Sequence, residues 1–512
     1  MDSIVTRGVI AAAAAAALAV PALAFAPASD AARDPSRAEA LQRAVTLDGT
    51  LRHLRALQRI ADVNGRNRVA GSTGHSASAG YVAGQLTAAG YDVTYQAFEF
   101  PFFTENSPST LARVEPSPKT YAPRDDFVTM QFSGSGDVTA RVQGVDLTLP
   151  PTPQPSSTSG CEAADFAGFT SGNIALIQRG TCTFEEKVAN AVNAGAVGVI
   201  VFNEGQPGRT NAFGARMDSP KTIPVLSASF AVGEELSARG TSVRMTTDTT
   251  NSRRTTYNVL AETKGGRADN VVMSGAHLDS VDAGPGINDN GSGSAAQLEV
   301  AIQFAKVVKQ PRNKVRFAWW SAEEGGLLGS THYVQNSSAA DLGDIALILN
   351  FDMLASPNFA RFVYDGDDSD KVGAGPGPAG SGAIEKVLND FYAARNLPTE
   401  GTDFSGRSDY GPFLAAGIPA GGIFSGAEGV KTAAQAAKWG GTAGTAYDSC
   451  YHQACDTSRN INNTSLDQNA DAVAYAVATF AHDTSDVNGR ARRPGAVDRA
   501  AKAWPGPHVY GR

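Results

Sequence analysis

Val271-Val-Met-Ser-Gly-Ala-His277-Leu-Asp279 is the stretch of this sequence that decides its fold, because a strand-length apolar run ends there in a histidine and a carboxylate. The pattern occurs twice more: residues 315–320 lead to Glu323, and residues 346–351 lead to Asp352. Buried strands of a parallel sheet have this composition, and their carboxyl ends aim side chains into one shared crevice. We therefore predict an α/β fold with a mixed, largely parallel central sheet flanked by helices, and a carboxylate-rich site at one edge of that sheet.

The segments around this stretch indicate two domains, one inserted into the other. Residues 46–109 read as helix, helix, strand, which is how an α/β domain opens, and the α/β pattern resumes after residue 249. Residues 110–248 are instead rich in Pro, Ser, Thr and Gly and contain short β-like runs. We predict a split domain over 46–109 and 249–482 with a β-rich insertion between its halves. A linker or pro-segment over 25–45 and a flexible tail over 483–512 complete the chain.

The N-terminus has the features of a secretory signal: Arg7, an apolar run over residues 8–20, and an Ala-x-Ala pattern that predicts cleavage after Ala24, so that residues 1–24 are the signal peptide. The alternative, an alanine-rich helix buried in the fold, would need apolar partners on every side. The run is too short to span a bilayer comfortably, so we predict a secreted protein with no membrane anchor. A net charge of −8 without an extended basic cluster argues against a nucleic-acid partner.

The four cysteines agree with export, since an even number in an oxidising compartment predicts disulfides. Each close pair is expected to bridge to itself, which joins Cys161 to Cys182 and Cys450 to Cys455. Zinc binding by cysteine is the alternative, but neither pair has C-x-x-C spacing.

Two motifs near the start of the catalytic-looking region are ambiguous when each is taken alone. His277-Leu-Asp279 is either a metal-binding histidine with a carboxylate that orients it or its loop, or an ordinary histidine in a loop. Asp289, in Ile-Asn-Asp-Asn-Gly-Ser-Gly, is either a carboxylate that bridges two cations or part of an Asx turn that caps the next helix. Together the two motifs favour a metal site.

The remaining candidates strengthen that interpretation. Glu323 and Glu324 are adjacent carboxylates that follow an apolar run. Burying two neighbouring carboxylates costs free energy unless a cation relieves their repulsion. The alternative is that they begin a solvated helix. Asp352 ends a hydrophobic strand, and His452 lies between the two cysteines of one predicted disulfide. With His277 and Asp289, these residues provide enough ligands for two divalent metal ions with one bridging carboxylate. This number and type of ligands predicts a metallohydrolase and does not identify the substrate.

Longer motifs carry a resemblance to known families. The segment Arg179-Gly-Thr-Cys182-Thr-Phe, within a strand, helix, strand unit, closely resembles the protease-associated domain that is inserted into several peptidases. The series H-x-D, Asn-Asp-Asn-Gly-Ser-Gly, Trp-Trp-x-Ala-Glu-Glu-x-Gly, Asn-Phe-Asp-Met and Cys-Tyr-His resembles the double-zinc aminopeptidases secreted by actinobacteria, the leucyl aminopeptidase or aminopeptidase S group. This second resemblance covers roughly residues 47–105 and 255–480 and implies the zinc exopeptidase fold.

The resemblance implies a role for each candidate residue. It assigns His277 and Asp352 to one zinc ion and Glu324 and His452 to the other, with Asp289 as the bridge through a cis peptide to Asn290. It makes Glu323 the general base that acts on the attacking water. It makes Tyr451 the residue whose hydroxyl stabilises the tetrahedral intermediate. It also places Arg407 near the substrate and makes Asp279 a residue that supports the ligands without binding metal itself. The implied activity is release of N-terminal residues, large apolar ones such as leucine, from peptides with a free N-terminus, and we expect a monomer.

This chain also departs from the family pattern. Tyr410 stands where relatives have histidine in Arg-Ser-Asp-His, and the simplest relatives lack the inserted domain. Asp467 and Asp471 match calcium-binding positions of one relative, but acids four residues apart on a helix are more often solvated charges. A carboxypeptidase or a glutaminyl cyclase on the same scaffold, or a non-catalytic binding protein, remain the alternative functions.

Overall fold

The computed structural model of this chain describes residues 35–373 and 375–489. The predicted signal peptide and the end of the predicted tail, from residue 490, lie outside the described residues.

The helices are α1 Pro35–Ala44, α2 Leu47–Val63, α3 Thr73–Ala89, α4 Phe184–Asn193, α5 Phe230–Leu236, α6 Gly291–Val307, α7 Leu328–Asn336, α8 Ala339–Asp344, α9 Ser381–Ala393, α10 Tyr410–Ala415, α11 Ala433–Trp439, α12 Asn463–His482 and α13 Ser485–Asn488, and a 3-10 turn spans Ala163–Phe166. The strands are β1 Asp92–Glu115, β2 Lys119–Thr120, β3 Phe127–Thr129, β4 Gly136–Val145, β5 Ile174–Gln178, β6 Gly198–Phe202, β7 Val225–Ala228, β8 Ser242–Glu262, β9 Arg267–His277, β10 Asn313–Trp320, β11 Ile345–Phe351, β12 Phe362–Tyr364, β13 Glu400–Thr402 and β14 Ala420–Phe424.

The first domain is built on the mixed sheet that the sequence predicts. Its strands follow the order β13-β12-β14-β11-β9-β10-β8, and β1 pairs with β8 at the edge. The central strands β14, β11, β9 and β10 are parallel, whereas β8 and β12 run antiparallel to their neighbours β10 and β14. The parallel centre is what places the carboxyl ends of β9, β10 and β11 side by side.

Helices cover both faces of this sheet, because successive residues of its central strands point to opposite faces and both sets are apolar. Val272 of β9 packs into a core shared with α2, α3, α6 and α12, and Met273 packs into a second core with α7 and α10. The helix ends carry the expected caps: the Ser72 side chain accepts from the His75 amide at the start of α3, and Gly90 takes a left-handed conformation with φ 93° at its end.

The inserted domain has its own core. Strands β4, β5, β6 and β7 are parallel, β3 pairs antiparallel with β7, and α4 and α5 lie on opposite faces. The sequence of α4 forms a capping box, in which Thr183 and Glu186 each satisfy the other's backbone N–H. The long strands β1 and β8 pair from Asp92 with Glu262 to Glu115 with Ser242 and run through both domains. The two domains therefore share one continuous ribbon instead of a loose linker.

Two terminal segments differ from the sequence prediction. Part of the predicted linker forms α1, which packs against α12 and buries Leu41 completely. Part of the predicted tail forms α13, which packs against α9 through the buried Val487. Both segments are short and rich in Ala or polar residues, so their local pattern does not reveal that a distant helix covers them.

The disulfides join Cys161 to Cys182 and Cys450 to Cys455, as predicted. Among the helices in the described part of the chain, none combines the length and the apolar character that crossing a membrane requires.

Candidate active site

The candidate site lies where three neighbouring strands end. His277 is the last residue of β9, Glu323 and Glu324 follow β10, and Asp352 follows β11. In the parallel register Trp320 is the partner of His277, and Asn350 is the partner of Gly275, so these ends lie at one edge of the sheet. The sequence prediction of a shared crevice is therefore met by the order β11-β9-β10.

The loop before α6 brings Asp289 to the same edge. Asn290 caps α6 by accepting from the Gly293 amide at 2.9 Å, and its side-chain amide donates to the Phe351 carbonyl at 2.9 Å. A Cβ on Gly293 would lie 2.2 Å from the Phe351 carbonyl oxygen, so a glycine is needed where the helix meets β11. The peptide bond between Asp289 and Asn290 is cis, as the resemblance implies.

Five of the predicted ligands meet in two groups that share Asp289. In one group, His277 Nε2 lies 3.3 Å from Asp289 Oδ1 and 3.4 Å from Asp352 Oδ1. In the other, His452 Nε2 lies 3.2 Å from Asp289 Oδ2 and 3.0 Å from Glu324 Oε2. Within each group one ligand atom per residue lies within 4.8 Å of the others. The two oxygens of Asp289 thus face two different histidines, which is the geometry of a bridging carboxylate.

The polar atoms in these groups fit metal ions. His277 Nε2, Asp289 Oδ2, Glu324 Oε1 and Asp352 Oδ1 are buried and make no hydrogen bond within the described residues. Leaving such atoms unpaired costs free energy, and a cluster of buried carboxylates repels itself, unless cations compensate both effects. Imidazole nitrogen and carboxylate oxygen are donors that zinc accepts. The residues present therefore fit two zinc ions.

Glu323 is buried beside this pair of ligand groups. Its Oε2 lies 3.9 Å from His277 Nε2, farther than either ligand carboxylate of that histidine. Burial, together with the carboxylates of Glu324 and Asp352, raises the pKa of Glu323 well above its usual value. A buried carboxylate with a raised pKa beside two candidate metal-ligand groups has the property of a general base that later returns the proton.

Asp279 acts on the backbone more than on the histidine. Its carboxylate accepts from the Glu323 amide at 3.2 Å and from the Glu324 amide at 3.4 Å. The distance from Asp279 Oδ1 to His277 Nδ1 is 3.7 Å, whereas the Asp279 carbonyl lies 3.2 Å from that nitrogen. Asp279 thus holds the turn that carries both glutamates, and its carbonyl orients the histidine.

Tyr451 and Arg407 lie together at the mouth of the site. The Tyr451 ring stacks on the ring of His452 with a centroid distance of 3.8 Å. Arg407 donates to the Tyr451 hydroxyl at 3.1 Å and to Glu428 at 2.6 Å. Both predicted residues therefore border the ligand cluster, and the arginine orients the phenol.

Tyr410, where the family pattern has histidine, supports the loop instead of reaching the cluster. It is buried against the Tyr364 and Phe404 rings, and its hydroxyl accepts from the Gly406 amide at 3.1 Å. The loop in turn presents Ser408, whose hydroxyl donates to Asp352 at 2.5 Å. This departure changes how the loop is held, while the loop still contacts a predicted metal ligand.

The sequence analysis missed two residues that support the site by hydrogen bonding to the backbone next to the predicted ligands. Asp456 accepts from the Asn288 amide at 2.8 Å and from the Asp289 amide at 2.9 Å, and burial raises its pKa to about 7. Arg68 is fully buried and donates to the carbonyls of Leu278, Pro285 and Gly286. Asp456 follows Cys455 directly and could have been suspected from that position, whereas no local pattern marks Arg68.

One of the two predicted calcium positions, Asp471, has another partner. The Gln42 amide of α1 donates to Asp471 at 2.9 Å, and Arg395 donates to the carbonyl oxygen of the same Gln42 side chain at 2.5 Å. Among the described residues, no group of acidic or histidine side chains close enough to hold an ion includes Asp467 or Asp471. The calcium prediction stays untested.

A cavity of about 400 Å³ opens over the ligand cluster, and both domains line it. The first domain contributes the cluster together with apolar side chains that include Met353 and Phe424. The inserted domain contributes Val128, Thr129, Gln131 and residues 214–216. The inserted domain is thus a wall of the site and not a remote appendage.

Comparisons with known proteins agree with this geometry. Residues 258–477 match peptidase family M28, and residues 145–236 match the PA domain. An aminopeptidase of Pseudomonas aeruginosa is 48% identical over 454 residues, which cover 88% of this chain and 83% of the relative. A probable leucine aminopeptidase 2 of Aspergillus oryzae is 40% identical over 427 residues, which cover 82% of each chain. A solved zinc aminopeptidase of Bacillus subtilis shares the fold at 22% identity, with a TM-score of 0.58 over 85% of this chain and 94% of its own.

Proposed function

This chain belongs to peptidase family M28 and is a zinc-dependent aminopeptidase, and from that premise we propose that it uses two zinc ions to remove N-terminal residues from peptides. The observation that carries the proposal is Asp289, whose two oxygens face the two histidines at 3.3 and 3.2 Å. His277, Asp289 and Asp352 would hold one ion, and Asp289, Glu324 and His452 the other. A glutaminyl cyclase would need a single metal, so two overlapping ligand groups favour the peptidase.

Zinc ions at these residues would polarise the scissile carbonyl and lower the pKa of the attacking water. Glu323 takes the proton from that water and passes it to the leaving amine, a task for which its raised pKa is suited. The Tyr451 hydroxyl, oriented by Arg407, donates to the oxygen that becomes negative in the tetrahedral intermediate. Glu323 and Asp352 are candidates to anchor the free α-amino group of the peptide.

We also propose that the preferred N-terminal residue is large and apolar, such as leucine. Met353, Tyr364 and Phe424 line the cavity over the cluster and offer an apolar surface to such a side chain. The two disulfides and the N-terminal pattern support export, so we propose a secreted protein that acts on peptides as a monomer.

Hydrolysis of leucine p-nitroanilide, compared with its N-acetylated form, tests the activity on the purified mature protein. We expect cleavage of the free amine only, loss of activity with a chelator and recovery with zinc. Zinc content measured by mass spectrometry should give two ions per chain. Cleavage of the acetylated compound at a similar rate would rule out an aminopeptidase, and one ion per chain would rule out the two-zinc site.

A further inference from the structure

We propose that Arg216 of the inserted domain binds a carboxylate of the substrate on the leaving side of the scissile bond, an inference that rests on the proposed aminopeptidase function. The inserted domain would then select short peptides or acidic ones in addition to enclosing the site. Four observations lead to this residue: its place in the cavity, the way its backbone is held, the absence of a salt bridge to its guanidinium within the described residues, and the size of the space in front of it.

Arg216 lines the same cavity as the candidate catalytic residues. Glu323 and Tyr451 border the cavity on the side of the first domain, and Gln131 and Arg216 border it on the side of the inserted domain. A peptide whose first carbonyl lies at the metal ligands would extend its leaving portion across this space. The inserted domain therefore faces the part of the substrate that departs after hydrolysis.

The backbone around Arg216 is fixed. The Gln131 amide donates to the Ala215 carbonyl at 2.9 Å, and the Met217 amide donates to the Gln131 carbonyl at 3.3 Å. Ala215 and Met217 are both buried, so this segment cannot swing away without exposing the core of the domain. The Arg216 guanidinium lies 5.1 Å from the centre of the Phe132 ring, which holds the charged group by a cation–π contact.

The charge of Arg216 is only partly compensated within the protein, because Asp218 acts on it electrostatically without forming a salt bridge. In the described part of the chain its guanidinium forms no salt bridge, although the residue is half-buried, and the nearby Glu185 pairs with Lys221 instead. Other arginines of the inserted domain differ: Arg209 pairs with Glu204, and Arg244 pairs with Asp137. An arginine stays protonated, so a partly buried guanidinium without a salt bridge at a cavity wall can bind an anion with two oxygens.

The cavity size limits what can bring that anion. About 400 Å³ lies at the small end of ligand pockets and suits a peptide of two or three residues. The carboxylate has two possible sources in such a substrate. One is the C-terminus of a short peptide, and the other is an aspartate or glutamate that follows the scissile bond.

Matched substrate pairs test the proposal by the ratio of kcat/KM within each pair. Leu-Gly-Gly against its C-terminal amide probes the terminal carboxylate, and Leu-Asp-amide against Leu-Asn-amide probes the side chain. Both ratios are measured for the native enzyme, for Arg216→Gln and for Arg244→Gln, a control that removes a surface arginine of the same domain. Because each ratio compares two substrates on one protein, a general loss of folding or turnover cancels.

We expect the native enzyme to favour the carboxylate member of at least one pair by roughly ten- to a hundredfold, the range for a hydrogen bond to a charged group. Arg216→Gln should bring that ratio close to one, and Arg244→Gln should keep it. A response in the first pair assigns the carboxylate to the C-terminus, and a response in the second assigns it to the side chain. Ratios that Arg216→Gln leaves within about twofold of native values overturn the proposal, while a native enzyme that cleaves none of the four substrates overturns the proposed function itself.

Calorimetry gives a readout that does not depend on turnover. The probe is Leu-Gly-Gly with a CH₂–NH group in place of the scissile amide, as the free acid and as the amide. We expect tighter binding of the acid in the native protein and equal binding of both forms in Arg216→Gln. Equal binding of both forms by the native protein contradicts a C-terminal carboxylate site.

Discussion

Glu323 and Glu324 are neighbours in sequence, yet the structure gives them different surroundings. Glu324 Oε2 lies 3.0 Å from His452 Nε2, within one of the two ligand groups that share Asp289. Glu323 lies in neither of these two groups and is 3.9 Å from His277 Nε2. The turn held by Asp279 carries both glutamates, and their different surroundings suit Glu324 to the proposed role of metal ligand and Glu323 to that of proton acceptor.

Glu323→Gln should keep both zinc ions and lose most turnover. The amide has the size of the carboxylate but cannot accept the proton of the attacking water, so we expect kcat to fall by roughly 10²- to 10⁴-fold. Leucine p-nitroanilide kinetics and zinc content on the same sample check both halves of the prediction. Glu99→Gln, which alters an exposed glutamate, is the control. Near-native turnover in Glu323→Gln would reject the general-base role.

Glu324→Ala should lose one zinc ion and keep the other. Glu324 belongs to the group of Asp289 and His452, whereas His277, Asp289 and Asp352 remain complete without it. Zinc content after dialysis should fall from two ions per chain to about one, and kcat/KM should fall with it. Retention of both ions would show that Glu324 is not a ligand.

At the scale of elements, α1 belongs to the core of the peptidase domain. Leu41 is fully buried, and the Gln42 side chain reaches Asp471 of α12. The helix covers a face of α12 that would otherwise expose apolar residues. A pro-segment that is removed on maturation would therefore have to end before this helix.

Leu41→Ala should lower the free energy of unfolding by about 2–5 kcal/mol, since it leaves a cavity between α1 and α12. Urea unfolding followed by tryptophan fluorescence measures the change. The control is Glu39→Ala, an exposed position of the same helix, with an expected change within about 0.5 kcal/mol. An equal, small effect of both substitutions would mean that α1 does not stabilise the domain.

At the scale of the whole molecule, the proposed metal ligands come from distant parts of the chain. His277 ends a strand of the sheet, Glu324 and Asp352 follow the next strands, and His452 comes from the disulfide-closed loop near the C-terminus. Ions bound by these residues would connect the sheet, the α6 loop and that loop in the folded state only. Zinc is therefore expected to stabilise the fold as well as to serve catalysis.

Removal of zinc by a chelator should lower Tm together with activity. A ligand at a thousand times its Kd that binds only the folded state adds about 4 kcal/mol of stability, so the shift should be several degrees. Differential scanning calorimetry with and without chelator measures it, and the shift should be smaller in Glu324→Ala, which has less metal to lose. A Tm that does not respond to the chelator would contradict a tightly held pair of ions.

Much of this protein follows from local sequence patterns. Apolar runs that end in His277, Glu323 and Asp352 predict the parallel sheet and the place of the site, because strand composition and side-chain alternation are local properties. The cysteine spacing predicted both disulfides, and the change in composition from residue 110 predicted the inserted domain. The pairing of metal ligands depended on the family resemblance as well, since ligand spacing alone does not say which carboxylate bridges.

Other features were decided only by the tertiary structure, because they depend on contacts between segments far apart in sequence. Asp456 holds the backbone of Asp289 from 167 residues away, and Gln42 of α1 reaches Asp471 of α12 across 429 residues. The same is true of Arg216, which looks like any surface arginine until the fold turns it toward the active-site cavity. The sequence by itself determined the candidate residues for the chemistry, since residue types and strand ends are local properties of the chain. Which residues support these candidates and line the cavity with them was decided by how the two domains pack around one sheet.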